Sequence, residues 1–269
     1  MRVGFPRASL LAKTKKRSQP LSAAGVKKLP ALAGFVLPAL LVGVVLASYW
    51  IKIRPAAGVV ASDESAGSLL ARGMEAHGVG AYDQALALYR KTLERDPANA
   101  FAHYNIGQIF NEQGRYAEAQ AEYRAALKAK PDFVDARVNL GVAQYREKRF
   151  AEAADSFREA LRLSPRHAQA LFDLGITHYE IGDTDQAVLR LNDSLRENPK
   201  FAPAYYYLGL AHERAKRPAE ARAALEQAVA LDPKHAPAYF ELGKVYRAFG
   251  DDARARDAEA KAADLASRR

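Results

Sequence analysis

The sequence contains no cysteine, and this absence removes several classes of site. With no Cys among 269 residues, the chain can form no disulfide framework, no thiolate zinc or iron–sulfur site and no thiol nucleophile. Lipid attachment to a cysteine, as in bacterial lipoproteins, is excluded as well. Acidic residues are also missing from one part of the chain. Residues 1–54 hold ten Lys or Arg and no Asp or Glu.

The formal net charge of +9 belongs to this N-terminal part. Of the 40 basic residues, 30 remain in 55–269 against 31 acidic ones, a net charge of −1. Within that part basic and acidic residues alternate, as in RYAEAQAEYR at 115–124, which is typical of solvated helix surfaces. Because phosphate backbones bind cationic surfaces, we expect no nucleic-acid partner.

One uncharged run, LPALAGFVLPALLVGVVLASYWI, covers residues 29–51. About 20 apolar helical residues span a hydrocarbon core of about 30 Å, and Tyr49 and Trp50 suit the headgroup level at one end. The run predicts a transmembrane signal-anchor helix between a basic tail at 1–28 and a linker at 52–65. Since eight basic residues precede the run and two follow it, we expect a cytoplasmic N-terminus.

This topology places the chain in a bacterial inner membrane as a single-pass protein, with residues 66–269 in the periplasm. Two alternatives remain, a cleaved signal peptide and an organelle-targeting leader. A signal peptide usually has an apolar region of about 7–15 residues after a short basic start, and this chain has a longer run and a longer start.

Five prolines recur at intervals of 34 residues and define an internal repeat. With each proline at repeat position 32, position 8 is Gly and position 20 is Ala in every repeat. Position 24 is aromatic or Leu, except for Glu259 in the last repeat. The prolines are Pro97, Pro131, Pro165, Pro199 and Pro233, and the repeats are 66–99, 100–133, 134–167, 168–201, 202–235 and 236–269.

The 34-residue period, the Leu-Gly pairs, the A-x3-aromatic spacing and the closing proline resemble the tetratricopeptide repeat family. The chain is therefore expected to be all-α, an α-solenoid of six helix-turn-helix repeats preceded by one transmembrane helix. Gly at 8 and Ala at 20 permit a close helix crossing, and the side chain at 24 fills the core. Glycine at position 15 suits a left-handed turn, with Lys148 and Lys216 replacing it in two repeats. A polar last helix is expected where an array ends.

The sequence shows no catalytic constellation. His212-Glu213 begins an HExxH pattern, but Lys216 occupies the second histidine position, so a helical zinc site fails. His178 and His212 hold equivalent positions in adjacent repeats, yet two histidines without a third ligand are typical of packing or surface residues. Asp183 and Asp185 lie at a turn, where Asp serves as a helix cap. We expect no enzyme activity, no metal, no cofactor and no small-molecule substrate.

The resemblance implies that the first helices of successive repeats line a concave groove, chiefly through positions 2, 5, 6, 9, 12 and 13. In this chain those positions are rich in aromatic and amide side chains, which suit a peptide with hydrophobic anchors. An alternative stays open for each ring, which is packing between neighbouring first helices. The candidate groove residues are Phe101, Tyr104, Asn105, Gln108, Asn111, Asn139, Tyr145, Phe172, Tyr179, Tyr206, Tyr207 and Phe240.

One family function is disfavoured by these residues. Chaperone-binding members hold a C-terminal carboxylate with Lys at position 5 and Asn at positions 6 and 9, and then with Lys at 2 and Arg at 6 of the following repeat. Asn105 and Asn139 match at position 6, but no repeat has Lys at position 5. The expected function is a membrane-anchored scaffold for protein or peptide partners. The alternatives are an assembly factor that presents a client polypeptide to envelope machinery, as in cytochrome maturation, secretion or pilus biogenesis, and an accessory subunit of a membrane enzyme.

Overall fold

The computed structural model describes residues 64–268, which form six pairs of packed α-helices and no strand. This confirms the all-α repeat fold, with one helix pair in each predicted repeat. The predicted tail, transmembrane helix and most of the linker lie outside the described residues. Within residues 64–268 no helix is long and apolar enough to cross a membrane. The helices are α1 Ala66–Gly78, α2 Tyr82–Arg95, α3 Ala100–Glu112, α4 Tyr116–Ala129, α5 Val134–Arg146, α6 Phe150–Leu163, α7 Ala168–Ile181, α8 Thr184–Glu197, α9 Ala202–Arg214, α10 Pro218–Leu231, α11 Ala236–Ala248 and α12 Asp252–Ser267.

The turn within each pair takes the predicted left-handed backbone. Where position 15 is not glycine, Lys148 has φ 61° and Lys216 has φ 58°. A side chain in this conformation costs on the order of 1 kcal/mol, because Cβ crowds the following carbonyl. The turn is therefore kept in the two repeats that lack its preferred residue.

The second helix of each of the first five pairs ends two residues before the repeat proline. Asp96 precedes Pro97 and has φ −137° and ψ 87°, an extended conformation that ends α2. Proline forces this on the residue before it, since its ring clashes with a helical neighbour. The periodic prolines thus set where the first five repeats end.

The two helices of a repeat cross closely at the recurring Gly and Ala positions. A Cβ built on Gly141 would lie 2.7 Å from the ring of Phe157, which is a steric overlap. Phe157 is 1% exposed and Ala153, at position 20, is fully buried. The crossing predicted from positions 8, 20 and 24 is confirmed, with the side chain at position 24 packed directly against the glycine at position 8.

The last repeat closes the core with a charged residue. Glu259 takes position 24 and accepts two hydrogen bonds from Arg247 Nη2, at 2.5 and 2.6 Å. Its helix α12 buries only Ala255, Ala258 and Ala262.

Candidate functional site

The candidate residues lie on the first helices of repeats two to six, which are α3, α5, α7, α9 and α11. From α1 to α9, each first helix contacts the first helix of the next repeat, while the second helix packs against the following first helix. This stacking places equivalent positions of neighbouring first helices side by side. We call the surface made by positions 2, 5, 6, 9, 12 and 13 of these helices the first-helix face.

Tyr104 organises the N-terminal half of the first-helix face. Its hydroxyl accepts hydrogen bonds from Gln108 Nε2 at 3.1 Å and from Asn139 Nδ2 at 3.0 Å. Asn139 belongs to the next repeat, so this bond joins two first helices. Burial raises the pKa of Tyr104, so its hydroxyl stays neutral and available for hydrogen bonds. The structure therefore brings three of the candidates together as one polar cluster.

An exposed ring flanks this cluster. Phe101 is 47% exposed and lies 5.2 Å from the ring of Phe133, measured between centroids. The ammonium of Lys130 lies 5.3 Å from the Phe101 ring, within the range of a cation–π contact. Lys130 follows the last residue of α4 and directly precedes Pro131. Phe101 and Lys130 both belong to repeat two, at positions 2 and 31, and the repeat pattern does not indicate this contact.

Four aromatic candidates form a cluster in the C-terminal half. The ring centroid of Tyr207 lies 5.3 Å from Tyr206, 5.8 Å from Phe172 and 6.2 Å from Tyr179, all in edge-to-face geometry. Such aromatic pairs add about 0.5–1.5 kcal/mol beyond area burial. The residues come from positions 5, 6 and 12 of repeats four and five, so the structure brings together candidates from two adjacent repeats.

Position 13 supplies charged residues that are not among the sequence-predicted candidates. The Arg214 guanidinium lies 3.8 Å from the centre of the Tyr179 ring and donates to the Tyr179 carbonyl. The Tyr145 hydroxyl donates to Glu180 at 3.4 Å. Burial, reinforced by the Glu180 charge, raises the pKa of Tyr145. Position 13 alternates Glu, Arg, Glu and Arg in repeats two to five, a signal that could have identified these residues.

Not every candidate presents an accessible side chain. Phe172 and Asn105 are each 8% exposed, and Asn105 Nδ2 donates to the Phe101 carbonyl of its own helix. The burial of Phe172 corresponds to the packing role left open for each ring. Asn111 Oδ1 is buried without a hydrogen-bond partner among the described residues. At the far end, Phe240 is 54% exposed. The assignment of the whole set to partner binding stays a prediction.

His178 and His212 are part of the packed repeats, and Asp183 caps a helix. Burial lowers the pKa of both His178 and His212, which favours neutral imidazoles. Asp183 accepts a hydrogen bond from the backbone N–H of Gln186 and caps α8, as predicted. Residues 64–268 contain no group of three metal-ligating side chains.

Comparison with known proteins identifies the family. The tetratricopeptide repeat model matches residues 70–132, 112–168, 172–235 and 217–268, well over half of the chain. The chain belongs to the tetratricopeptide repeat family. Tetratricopeptide repeat proteins are typically non-enzymatic scaffolds that bind protein or peptide partners.

Solved structures with similar folds include several bacterial tetratricopeptide repeat proteins. PilW, described as a widely conserved type IV pilus biogenesis factor, is 26% identical, with a TM-score of 0.66 over 73% of this chain and 91% of PilW. MamA is 26% identical, with a TM-score of 0.57 over 61% of this chain and 95% of MamA. PilF of Pseudomonas aeruginosa is 21% identical and shows the fold alone, with a TM-score of 0.65 over 77% of this chain and 99% of PilF. No curated protein sequence matches the chain.

Proposed function

We propose that this tetratricopeptide repeat protein is a scaffold anchored in a bacterial inner membrane, which recruits a protein partner through its first-helix face. The observation that carries the proposal is the aromatic cluster around Tyr207. Interface hot spots are enriched in Tyr and Arg that lie together in one patch. Tyr179, Tyr206 and Arg214 provide that combination on one face of two adjacent repeats.

The membrane part of the proposal rests on the sequence. Residues 29–51 are long and apolar enough to cross a bilayer, and eight basic residues precede them. With this topology the repeats lie in the periplasm, at the end of a linker whose residues 54–65 extend over at most about 40 Å. A partner held on the first-helix face is then kept near the membrane surface.

A second candidate function is an assembly factor for envelope machinery, in which the partner is a client polypeptide on its way into a larger structure. The similarity to PilW favours this candidate, because PilW is described as a pilus biogenesis factor and 91% of its chain is covered. Cytochrome maturation and secretion are further processes of the same kind. An accessory subunit of a membrane enzyme is the remaining alternative.

The test is a crosslinking pull-down from membranes with the full chain and the double variant Y145A/Y179A. The variant removes two rings from the first-helix face, and we expect partner recovery to fall by about tenfold or more, as for truncated aromatic hot spots. The matched control is Y205A. It removes a half-buried tyrosine of α9 that faces Val188 and Asn192 of the second helix α8 instead.

Expression and thermal unfolding of each variant are compared with the parent. Full partner recovery with a folded Y145A/Y179A variant excludes this face as the main binding site. Equal losses with Y205A indicate that the rings act through the fold alone.

A further inference from the structure

Four charged side chains of alternating sign lie along one edge of the first-helix face. They occupy position 13 of repeats two to five, in the last turn of each first helix, and all four are exposed. Repeats one and six have Gly78 and Ala248 at this position, so the series has four members. We call these four side chains the charge ladder, and its members are Glu112, Arg146, Glu180 and Arg214.

The two glutamates of the charge ladder have no Lys or Arg partner among the described residues. Glu112 lies 3.5 Å from His77 Nε2 and accepts a hydrogen bond from the Tyr82 hydroxyl. Glu180 accepts a hydrogen bond from the Tyr145 hydroxyl at 3.4 Å. The negative end of the helix dipole also disfavours a carboxylate in the last turn of a helix. Local helix stability therefore does not favour glutamate at these two places.

The two arginines of the charge ladder likewise have no carboxylate partner in the part of the chain that the structure describes. Arg214 stacks on the Tyr179 ring at 3.8 Å and donates to a backbone carbonyl. Arg146 forms no hydrogen bond and no ion pair within residues 64–268. Repeat six differs, because Lys244 of the first-helix face forms ion pairs with two glutamates. The ladder therefore leaves four charges available to a partner.

Attraction within the chain contributes little to the charge ladder. No ion pair joins two of its members within the described residues. Packed helices lie about 8–10 Å apart, and exposed charges at physiological salt are screened over about 8 Å. Members one repeat apart therefore attract each other weakly, and the ladder remains available to a surface of complementary charge.

The charge ladder is complementary to a second copy of itself that runs in the opposite direction. From repeat two to repeat five its signs are minus, plus, minus and plus, and a two-fold axis between repeats three and four places the reverse order opposite them. Glu112 then faces Arg214 of the second copy, and each such pair occurs twice. Arg146 faces Glu180 of the second copy in the same way. A two-fold interface between identical chains requires such self-complementarity, whereas a parallel arrangement would place like charges opposite each other.

Position 12, beside the charge ladder, fits the same rotation. The two-fold axis places Tyr145 opposite Tyr179 of the second copy, and both rings are only partly buried. Aromatic rings that meet in edge-to-face or offset geometry stabilise an interface beyond the area that they bury. The charged edge and the aromatic side chains next to it are therefore consistent with one register.

We propose that the first-helix face binds a second copy of this chain in an antiparallel, two-fold symmetric arrangement in which the two charge ladders pair. Complementary charges raise the association rate and fix the register, and like charges placed opposite each other are unfavourable. The occupant is a second copy because the ladder is complementary to its own reversed order. This proposal rests on the proposed function and names one protein partner of the same face.

Charge reversal tests the pairing. Full chains that carry two different affinity tags are mixed in detergent, and co-capture is measured at several concentrations to give the dissociation constant. R146E and E180R each place like charges opposite each other in both central pairs, and each variant should bind copies of itself at least about tenfold more weakly. A mixture of R146E with E180R restores opposite charges in both central pairs, and we expect association to recover to near that of the parent.

D257R is the matched control, since Asp257 is an exposed carboxylate of α12 outside the charge ladder. This variant should associate like the parent, and raising the ionic strength should weaken the association of the parent. A parent chain without self-association overturns the proposal. Single charge reversals that associate as strongly as the parent overturn it, and so does a mixture that stays as weak as the single variants.

The absence of cysteine allows a test of the antiparallel direction. E112C and R214C each introduce one thiol, and a short bis-maleimide crosslinker is added to each variant alone and to their mixture. The end pair of the ladder brings residues 112 and 214 of different copies together, whereas the two residues 112 lie three repeats apart, at about 8–10 Å for each repeat. Crosslinked dimers should therefore form mainly in the mixture. Equal yields with either variant alone contradict the antiparallel direction.

The outcomes separate this proposal from the proposed function, because the self-association assay contains no other protein. If Y145A/Y179A lowers partner recovery while the charge reversals leave self-association unchanged, only the pairing of two copies is wrong. If the mixture of R146E and E180R recovers association while Y145A/Y179A leaves partner recovery unchanged, the ladder is an interface and the aromatic binding surface is wrong.

Discussion

Asp173 is a buried carboxylate on α7 with an incomplete set of hydrogen bonds. It is 6% exposed and lies within a run of nine buried residues, 170–178. Gln169 Nε2 donates to its Oδ1 at 3.0 Å, whereas Oδ2 is buried with no partner among the described residues. Burial raises the pKa of Asp173 from 3.8 to about 7, against the smaller opposing effects of Gln169 and Arg146. We expect this ionised carboxylate to destabilise the array.

The sign of the effect follows from proton binding. Because the folded state holds the Asp173 proton more tightly than the unfolded state, its contribution to stability is fully present below about pH 4. It is lost as the pH rises towards and through 7. A pKa difference of one unit corresponds to about 1.36 kcal/mol. The rise in the Asp173 pKa from 3.8 to about 7 therefore limits the effect on the unfolding free energy to about 4 kcal/mol. Relaxation of the structure around Asp173 reduces this effect, and we expect its ionisation to lower the unfolding free energy by about 1–3 kcal/mol.

The perturbation is D173N, which keeps the shape and removes the ionisation. Urea unfolding of parent and variant is followed by circular dichroism at about pH 4.5 and pH 8, on either side of most of the titration. The difference in unfolding free energy between D173N and the parent should increase by about 1–3 kcal/mol from the lower to the higher pH, in favour of the variant. Because only the change of this difference with pH is compared, any pH-independent effect of the introduced amide on stability cancels.

D257N is the matched control, since Asp257 is exposed on α12. Its stability difference from the parent should stay nearly constant over the same range. A D173N difference that is equally flat, or one that moves against the variant at high pH, refutes the predicted destabilisation. A carboxyl 13C titration that gives Asp173 its ordinary pKa refutes it as well, without unfolding the chain.

The remaining predictions address packing, charge and topology. G141L places a side chain against the Phe157 ring and should lower stability by about 1–3 kcal/mol or more. F157A leaves a cavity and should lower stability by about 3–5 kcal/mol. Thermal unfolding with unchanged midpoints contradicts both predictions. Glu122 raises the pKa of His103, with Nδ1 2.7 Å from the carboxylate, so the stability lost in H103Q should be largest below about pH 6.5 and vanish as pH rises through the folded pKa. A phosphatase fused after residue 269 should be active, and an inactive fusion beside an active cytoplasmic reporter contradicts the topology.

Much of the candidate site could be predicted from the sequence, because helical periodicity places repeat positions on known faces. Tyr104 and Asn139 occupy positions 5 and 6 of adjacent repeats, and the pattern places them on the same face, whereas the structure adds the hydrogen bond that joins their two helices. The sequence could not predict which rings remain accessible. Phe101 is 47% exposed and Phe172 is 8% exposed, although both are groove candidates, since exposure depends on side chains from neighbouring repeats.

The sequence by itself determined the repeat length, the number of helix pairs and their close crossing. Proline ends a helix, and Gly at position 8 admits the ring at position 24, so these features follow from local geometry and from a contact within one repeat. Only the tertiary structure decided the unpaired oxygen of Asp173 and the stacking of Arg214 on Tyr179. Each of these depends on how side chains pack in three dimensions, and no periodic pattern along a single chain specifies it.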